Sequence, residues 1–516
     1  MQKFSFNQDI NTIAIVCNQW GDTGKGKFVD YFTPWADIVA RGTGGANAGH
    51  TIQKDGKDIV VHLLPSSILY DREGKISIIG NGVAFDPMQC LEEAHMVRGL
   101  GYPVEHLLIS HRAKLVLPQH ILLDRAREMA SGKNRLGTTG RGIGPVYADF
   151  YARVGLFVND LLNKDIFARR LQQNLSEKLK ILNTFDRELL KKILEQPLLG
   201  AGIFYDEQNI LNIEAIVETY CEKYASELKE YIADTDTFLR NHVGKKRILL
   251  EGAQGLLLSV DYGSYPYVTS SDCSIEGLVK GVGLKEKNVD LTLGIVKAFY
   301  MTRVGSGPFP TEFGGVASEN YCEGKDRAHE EQNFSNASVN DNDELTQGIA
   351  IRLAGHEYGA TTGRPRRTGW LDLPLLRRSI MINGGEIILT KLDVLDGCQQ
   401  IKICSEYEYI GSTFQRGKEL FLHGQRIRVA PVEAELLRYC RPIYEVFPGW
   451  VQPIRNFRVY EDLPMNLQNI IEYVERESGS QVRFISVGPD ALETIEKTPG
   501  KLLQPASPVE THALQY

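Results

Sequence analysis

The chain has no apolar run near the roughly 20 residues needed to cross a bilayer, which leaves no candidate for a membrane-spanning helix in its 516 residues. Cysteine is sparse: eight residues are scattered at 17, 90, 221, 273, 322, 398, 404 and 440, with no Cys-x-x-Cys pair and no histidine at zinc spacing. Neither a disulfide framework nor a zinc cage is expected, and buried reduced thiols are. No charge sign dominates, since 58 Lys and Arg face 65 Asp and Glu for a net charge of -7. A polyanion-binding surface is therefore not the main business, and nucleic acid is not an expected partner. There is no internal repeat. Met1–Asp9 carries no apolar leader, so a cytoplasmic chain is expected.

What is present is a series of short apolar runs bounded by Gly, Asn or charge: Ile13–Cys17, Ile76–Ile79, Ile248–Leu250, Leu291–Ile295, Ile387–Leu389 and Phe484–Ser486. They read as strands buried on both faces, and with helical patterns between them they predict an α/β fold with a large, mostly parallel central sheet flanked by helices. Ile213, Ile216, Val217, Tyr220, Tyr224, Leu228 and Tyr231 follow the helical period within a helical elaboration at about 160–240. Residues 316–347, rich in Glu, Asp, Asn and Ser, lack periodicity and read as a surface insertion. Motifs recur from 19 to 490 without a linker, so 1–497 reads as one catalytic domain and 498–516 as a poorly ordered tail.

The chemistry starts after the first run. Gly21, Asp22, Thr23, Gly24, Lys25, Gly26 and Lys27 form a glycine-punctuated turn with one carboxylate and two lysines, the composition of a phosphate cradle. The spacing matches a Walker pattern up to Lys27, but Phe28 stands where a magnesium-binding hydroxyl belongs. A metal must find other oxygens, and Asp22 is the obvious supplier. The alternative is an ordinary turn. Far downstream, Thr390-Lys391-Leu392-Asp393 follows an apolar run and matches the guanine-reading pattern of GTP-binding proteins. One carboxylate there accepts both the N1–H and the 2-amino hydrogen of guanine, a donor pair that adenine lacks. A helix-capping aspartate is the bland reading of the same tetrapeptide.

Three further segments share this grammar. Arg41–Thr51 packs glycine and alanine around Asn47 and His50, a backbone that approaches a ligand closely while presenting an amide and an imidazole. Gly137–Pro145 and Ala360–Gly369 combine small residues, hydroxyls and guanidinium forks. The arginines at 364, 366 and 367 suit a small acidic substrate beside a nucleotide, or else form a solvated basic loop.

Taken in order, Gln19–Asp22, Asn47–Thr51, His62–Pro65, Gly80–Gly82, Gly137–Pro145, Glu251–Gly255, Tyr265–Ser271, Gly307–Glu312, Thr368–Asp372, Thr390–Asp393 and Phe447–Trp450 resemble the motifs of the adenylosuccinate synthetase family over nearly the whole chain. The resemblance implies a P-loop-like GTP-binding ligase fold with helical and loop insertions. It implies a carbon–nitrogen ligase of AMP biosynthesis that joins L-aspartate to IMP through a 6-phosphoryl intermediate, with GTP as co-substrate and one Mg²⁺ per subunit.

By this resemblance Asp22, His50 and Gln254 are catalytic, and Asp22 with the Gly49 carbonyl holds the metal. GTP contacts fall to the loop 21–27, to Gly49, His50 and Thr51, to Arg366, to Lys391, Leu392 and Asp393, and to Ser486, Val487 and Gly488. IMP contacts fall to Asp22, Lys25, Asn47, Ala48, Gly49, His50, Thr139, Gln254, Thr269 and Arg364. Arg153 is implied to reach the partner's IMP across a homodimer interface. The aspartate loop is Ala360, Thr361, Thr362, Gly363, Arg364, Pro365 and Arg366.

Two departures stand out. Thr23 replaces the family's glutamate after the catalytic aspartate, and Asp272–Glu276 replaces a neutral stretch expected near the IMP phosphate and ribose. They leave open the same chemistry on another purine nucleotide such as dGMP. A GTP-binding paralogue impaired in catalysis is the other alternative, against which the retained Asp22, His50, Gln254 and arginine loop argue.

Overall fold

The computed structural model describes residues 9–54, 56–132, 135–322, 324–359 and 363–498. The tail beyond 498 lies outside them. The centre is a ten-stranded sheet in the spatial order Ile232–Ala233, Leu107–Ser110, Ile76–Ile79, Ile38–Arg41, Ile248–Glu251, Thr12–Cys17, Leu291–Lys297, Glu386–Thr390, Gln481–Ser486 and Thr494–Glu496. Every pairing is parallel except the last, which closes one edge. All six apolar runs in the sequence are strands of this sheet.

Strand alternation explains why those runs are apolar throughout. Ile13 and Ile15 pack with Phe28 and Phe32 of the helix Lys25–Phe32 on one face, while Ala14 and Val16 pack with Leu278 and Val279 of the helix Ile275–Gly281 on the other. Neither face meets water, so no polar positions are needed. Phe28 is fully buried, and truncation to alanine costs about 3–5 kcal/mol for a residue so placed.

A second, five-stranded sheet contains Tyr300–Arg303, Arg367–Asp372, Gln400–Tyr409, Arg426–Ile427 and Cys440–Pro448. Through Arg367–Asp372 it fixes the chain on the C-terminal side of the arginine loop. In the helical stretch, 213–231 runs through an α-helical turn, a π-helical segment at Thr219–Tyr224 and a further helical turn, so the apolar face seen in the sequence is kept by a locally widened helix. The span 316–347 contains the helices Val316–Tyr321 and Arg327–Asn333, and Glu330 within it is fully buried against Arg352. Seven of the eight cysteines are buried and all are free.

The sheet places the motifs. The phosphate loop follows Thr12–Cys17, the Asn47/His50 segment follows Ile38–Arg41, Gln254 follows Ile248–Glu251, Lys391 follows Glu386–Thr390 and Val487 follows Gln481–Ser486. All leave the carboxyl ends of parallel strands, and the crossover between Thr12–Cys17 and Ile38–Arg41 skips over Ile248–Glu251. Open parallel sheets bind ligands at such a place.

Candidate active site

A cavity of about 1040 Å³ opens there. Its walls include Gly21–Gly26, Asn47–Thr51, Thr139, Gln254, Thr269, Arg364–Arg367 and Lys391, so most of the residues singled out in the sequence meet in one space. Lys27, Leu392, Asp393, Ser486, Val487, Gly488 and Gly363 are not part of its wall. Arg153 is also outside the wall, exposed on the surface with φ +64°. Ala360, Thr361 and Thr362 lie outside the described residues.

The phosphate loop turns into its helix at Gly24, whose φ of +84° caps the helix N-terminus in a left-handed conformation open to glycine. Two residues on, a Cβ on Gly26 would stand 2.8 Å from the Thr51 carbonyl, so the helix approaches the His50–Lys54 strand only with glycine there. Helix N–H groups and the positive helix end face the cavity, ready for an anion. Asp22, Gln254, His356 and Lys391, none of them glycine, all take positive φ. Each lines the cavity, the pattern of backbone strain kept where side-chain direction matters.

Asp22 Oδ2 meets Arg366 Nε at 2.6 Å. Burial would raise the carboxyl's pKa, but Arg366 and then Lys297 and Lys25 hold it below the usual carboxylate range, so it is ionised at neutral pH. Beside it, His50 Nδ1 contacts the fully buried Glu251, which also accepts from Ser66 N at 3.0 Å and Ser66 Oγ at 2.9 Å. Glu251 stays charged: burial pushes it up, yet His50, Arg41 and the Ser66 amide bring it below its usual value. Burial holds the imidazole below its own usual value against the pull of Glu251. A neutral imidazole donating from Nδ1 leaves Nε2 as the free nitrogen, and this buried atom has no partner.

Other polar atoms on the wall are equally unpaired. Asn47 Oδ1, both side-chain ends of Gln254 and the Thr23 hydroxyl are buried without hydrogen bonds. Buried polar groups are rarely left so unless a ligand or water completes them. Lys25 is nearly fully buried and its ammonium donates to the Gln254 carbonyl.

Beyond Lys391, Lys27 Nζ donates to Ser486 Oγ at 2.6 Å, Gly488 O at 2.7 Å and Glu493 O at 3.0 Å, tying the helix of the phosphate loop to the turn at 486–488. Asp393 is half-buried, and burial raises its carboxyl above the usual range. Thr390 Oγ1 donates to the Thr23 carbonyl at 2.8 Å, so the segment Thr390–Asp393 is bonded directly to the loop at 21–27.

The substituted stretch 272–276 does not face the cavity. Asp272 Oδ1 accepts from Ser274 N at 2.9 Å and Ser259 Oγ at 3.1 Å, and Ser274 caps the helix Ile275–Gly281. These side chains build a turn and a helix start behind Thr269, not the wall in front of it.

Sequence reasoning missed two carboxylates. Glu251 lies 201 residues from His50, and Glu357 accepts from Lys297 Nζ at 2.6 Å and Lys391 Nζ at 2.7 Å. The available signal was an acidic residue closing an apolar strand in the first case and preceding the arginine loop in the second. Among the described residues no cluster of three or more His, Cys, Asp or Glu is arranged to hold a metal unaided.

Comparison with known proteins agrees with this geometry. A family profile described as adenylosuccinate synthetase matches residues 14–495. The adenylosuccinate synthetase of Streptococcus gordonii is 40% identical over 487 residues, covering 94% of this chain and 98% of its own length. That of Chlorobium chlorochromatii is 41% identical over 486 residues, covering 93% and 96%. The fully ligated adenylosuccinate synthetase structure from Plasmodium falciparum superposes with a TM-score of 0.76 at 32% identity, covering 95% of this chain and all of that one. A succinoaminodeoxyadenylate synthetase from cyanophage S-2L, bound to dGMP and dATP, shares the fold at 18% identity and a TM-score of 0.50, with 95% and 96% covered. With most of the residues singled out in the sequence gathered at one cavity and a family profile matched almost end to end, the chain belongs to the adenylosuccinate synthetase family.

Proposed function

We propose that this cavity carries the family's reaction, the GTP-dependent joining of L-aspartate to IMP, with the following roles for its side chains. The observation that carries the assignment is the convergence of Asp22, paired with Arg366, with the unpaired buried atoms of Asn47, His50 and Gln254 beside a helix N-terminus. Asp22 accepts the N1 proton of IMP, and the 6-oxygen so activated attacks the γ-phosphorus of GTP, releasing GDP. His50, held through Nδ1 by Glu251, takes up a proton as the phosphoryl group arrives and donates its Nε2–H to that group in flight. The aspartate amine then attacks C6, and phosphate leaves with the C6–O bond electrons. Adenylosuccinate, GDP and phosphate are the products.

Asn47, Thr139, Gln254, Thr269 and Arg364 hold IMP in this reading, Arg364 and Arg366 meet the carboxylates of aspartate, and Lys391 and Asp393 read guanine. Asp22 and the Gly49 carbonyl would hold Mg²⁺, the sparse protein ligation usual for this ion. Bound there, it neutralises charge on the phosphates. Arg153, exposed in the single chain, completes the IMP site of a partner in a two-fold dimer. No described helix is long and apolar enough to cross a membrane, and we place the reaction in the cytoplasm. Residues 272–276 do not line the cavity, so that departure gives no reason to favour dGMP over IMP. Mixing protein with GTP, Mg²⁺, aspartate and either IMP or dGMP, and following absorbance of the 6-substituted purine, tests the assignment. Formation of adenylosuccinate from IMP is expected, and preference for dGMP overturns it.

A further inference from the structure

Glu357 stands at a junction that the reaction as assigned does not use. It is almost fully buried, and its carboxylate accepts from Lys297 Nζ at 2.6 Å, Lys391 Nζ at 2.7 Å and Tyr300 OH at 2.7 Å. Its main chain looks the other way: the Arg366 amide donates to the Glu357 carbonyl at 2.9 Å, and Arg366 in turn reaches Asp22. Tyr358 bridges to Pro365, and Gly359 N donates to Arg364 O at 2.9 Å, so the two ends of the arginine loop are laced together just above Glu357.

We propose that Glu357 is the positioning residue through which the guanine-motif lysine and the arginine on Asp22 respond to one another. The proposal rests on the reading of Lys391 as part of the guanine pocket. Lys391 is held in a strained backbone conformation, φ +58°, and its ammonium is tied to Glu357 and to the Gly355 carbonyl at 2.8 Å. Lys297 is fully buried and anchors the opposite side of the carboxylate. Burial alone would make Glu357 a weak anion, but the two lysines hold its pKa down to about 2, so its carboxylate is charged at neutral pH.

Shifting Lys391 against a bound base therefore moves or fixes a carboxylate whose own backbone carries the loop. Removing one partner of such a buried pair leaves an uncompensated charge, so the junction acts as a unit. On the other face, Tyr358 OH donates to Glu330 at 2.6 Å. That contact holds the same segment through a side chain bonded to Glu330 and not to Lys391, which makes Tyr358 the control.

The test is amide hydrogen exchange at Gly359 and Arg366 with and without saturating GDP, with occupancy checked by titration calorimetry, in wild type, Glu357→Gln, Lys391→Met and Tyr358→Phe. GDP is expected to slow exchange at both amides by about tenfold in wild type and in Tyr358→Phe, and by less than about twofold in the other two. Equal protection in Glu357→Gln or Lys391→Met, or none in GDP-bound wild type, overturns the proposal. Should Glu357→Gln fail to fold, Lys391→Met decides alone, because it keeps the Lys297–Glu357 pair. A wild type that binds neither GDP nor GTP overturns the guanine reading itself, an outcome separate from unequal protection.

Discussion

Arg366 Nε lies 2.6 Å from Asp22 Oδ2, so the arginine at the end of the substrate loop sits directly on the carboxylate proposed to take the proton from IMP. Asp22 must be ionised to act. Burial raises its pKa and Arg366 is the largest influence pulling it down, with a net result below the usual value. A depressed pKa keeps the base competent as pH falls, until the pH passes through that low value. Arg366→Met leaves burial less opposed, so the acid limb of kcat/KM for IMP is predicted to move to higher pH, in addition to any loss of aspartate affinity. A limb that stays in place in the variant's pH profile contradicts the pairing.

Asp22→Asn is predicted to lower kcat on the order of 10³-fold or more while leaving GTP binding largely intact, because the amide takes no proton. Steady-state kinetics and nucleotide titration check it. Activity within about tenfold of wild type removes Asp22 from the role of base.

Glu251→Gln keeps a hydrogen-bond acceptor near His50 but removes the charge that favours an imidazolium as the phosphoryl group arrives. A fall in kcat of about 10–100-fold is expected, with KM for IMP little changed, by analogy with other carboxylates that orient a working imidazole. If kcat is unaltered, Glu251 only fills space between His50 and Ser66.

Asp393→Asn is predicted to weaken GTP by ~1.5–3 kcal/mol and to erase most of its advantage over ITP, since only the carboxylate accepts two hydrogens from guanine. The GTP/ITP ratio of kcat/KM reads this out. An unchanged ratio places base recognition elsewhere.

Much of this was legible in the sequence, for identifiable reasons. A strand buried on both faces needs only apolar residues, so Ile13–Cys17 and the five similar runs announced the parallel sheet, and glycines that must approach a ligand mark their own loops. The second sheet was not announced, because strands such as Gln400–Tyr409 mix buried and half-exposed positions and match no simple period. The helices inside 316–347 were missed because they are six and seven residues long, too short to show periodicity, and the buried Glu330 looked like one more surface charge. Glu251 and Glu357 were invisible as partners because their lysine and histidine contacts join segments far apart in the chain. Asp272–Glu276 looked like a change at the nucleotide and is a change in a turn, a distinction only side-chain direction reveals.

Thr23 carries the remaining question of substrate. Its side chain is fully buried on the cavity wall and its hydroxyl has no partner. Thr23→Glu is predicted to preserve or raise activity with IMP, since it restores the glutamate that the family resemblance places after Asp22, and to move the acid limb upward through repulsion between adjacent carboxylates. Loss of the preferred acceptor, with IMP becoming the better substrate, would instead assign Thr23 to reading a different purine.

The most direct measurement is kcat/KM of the wild-type protein for IMP and for dGMP, with GTP, Mg²⁺ and aspartate at saturation, followed by absorbance of the 6-substituted purine. The account predicts turnover of IMP to adenylosuccinate, with IMP preferred over dGMP. Preference for dGMP, or no product from IMP while GTP still binds, would contradict it.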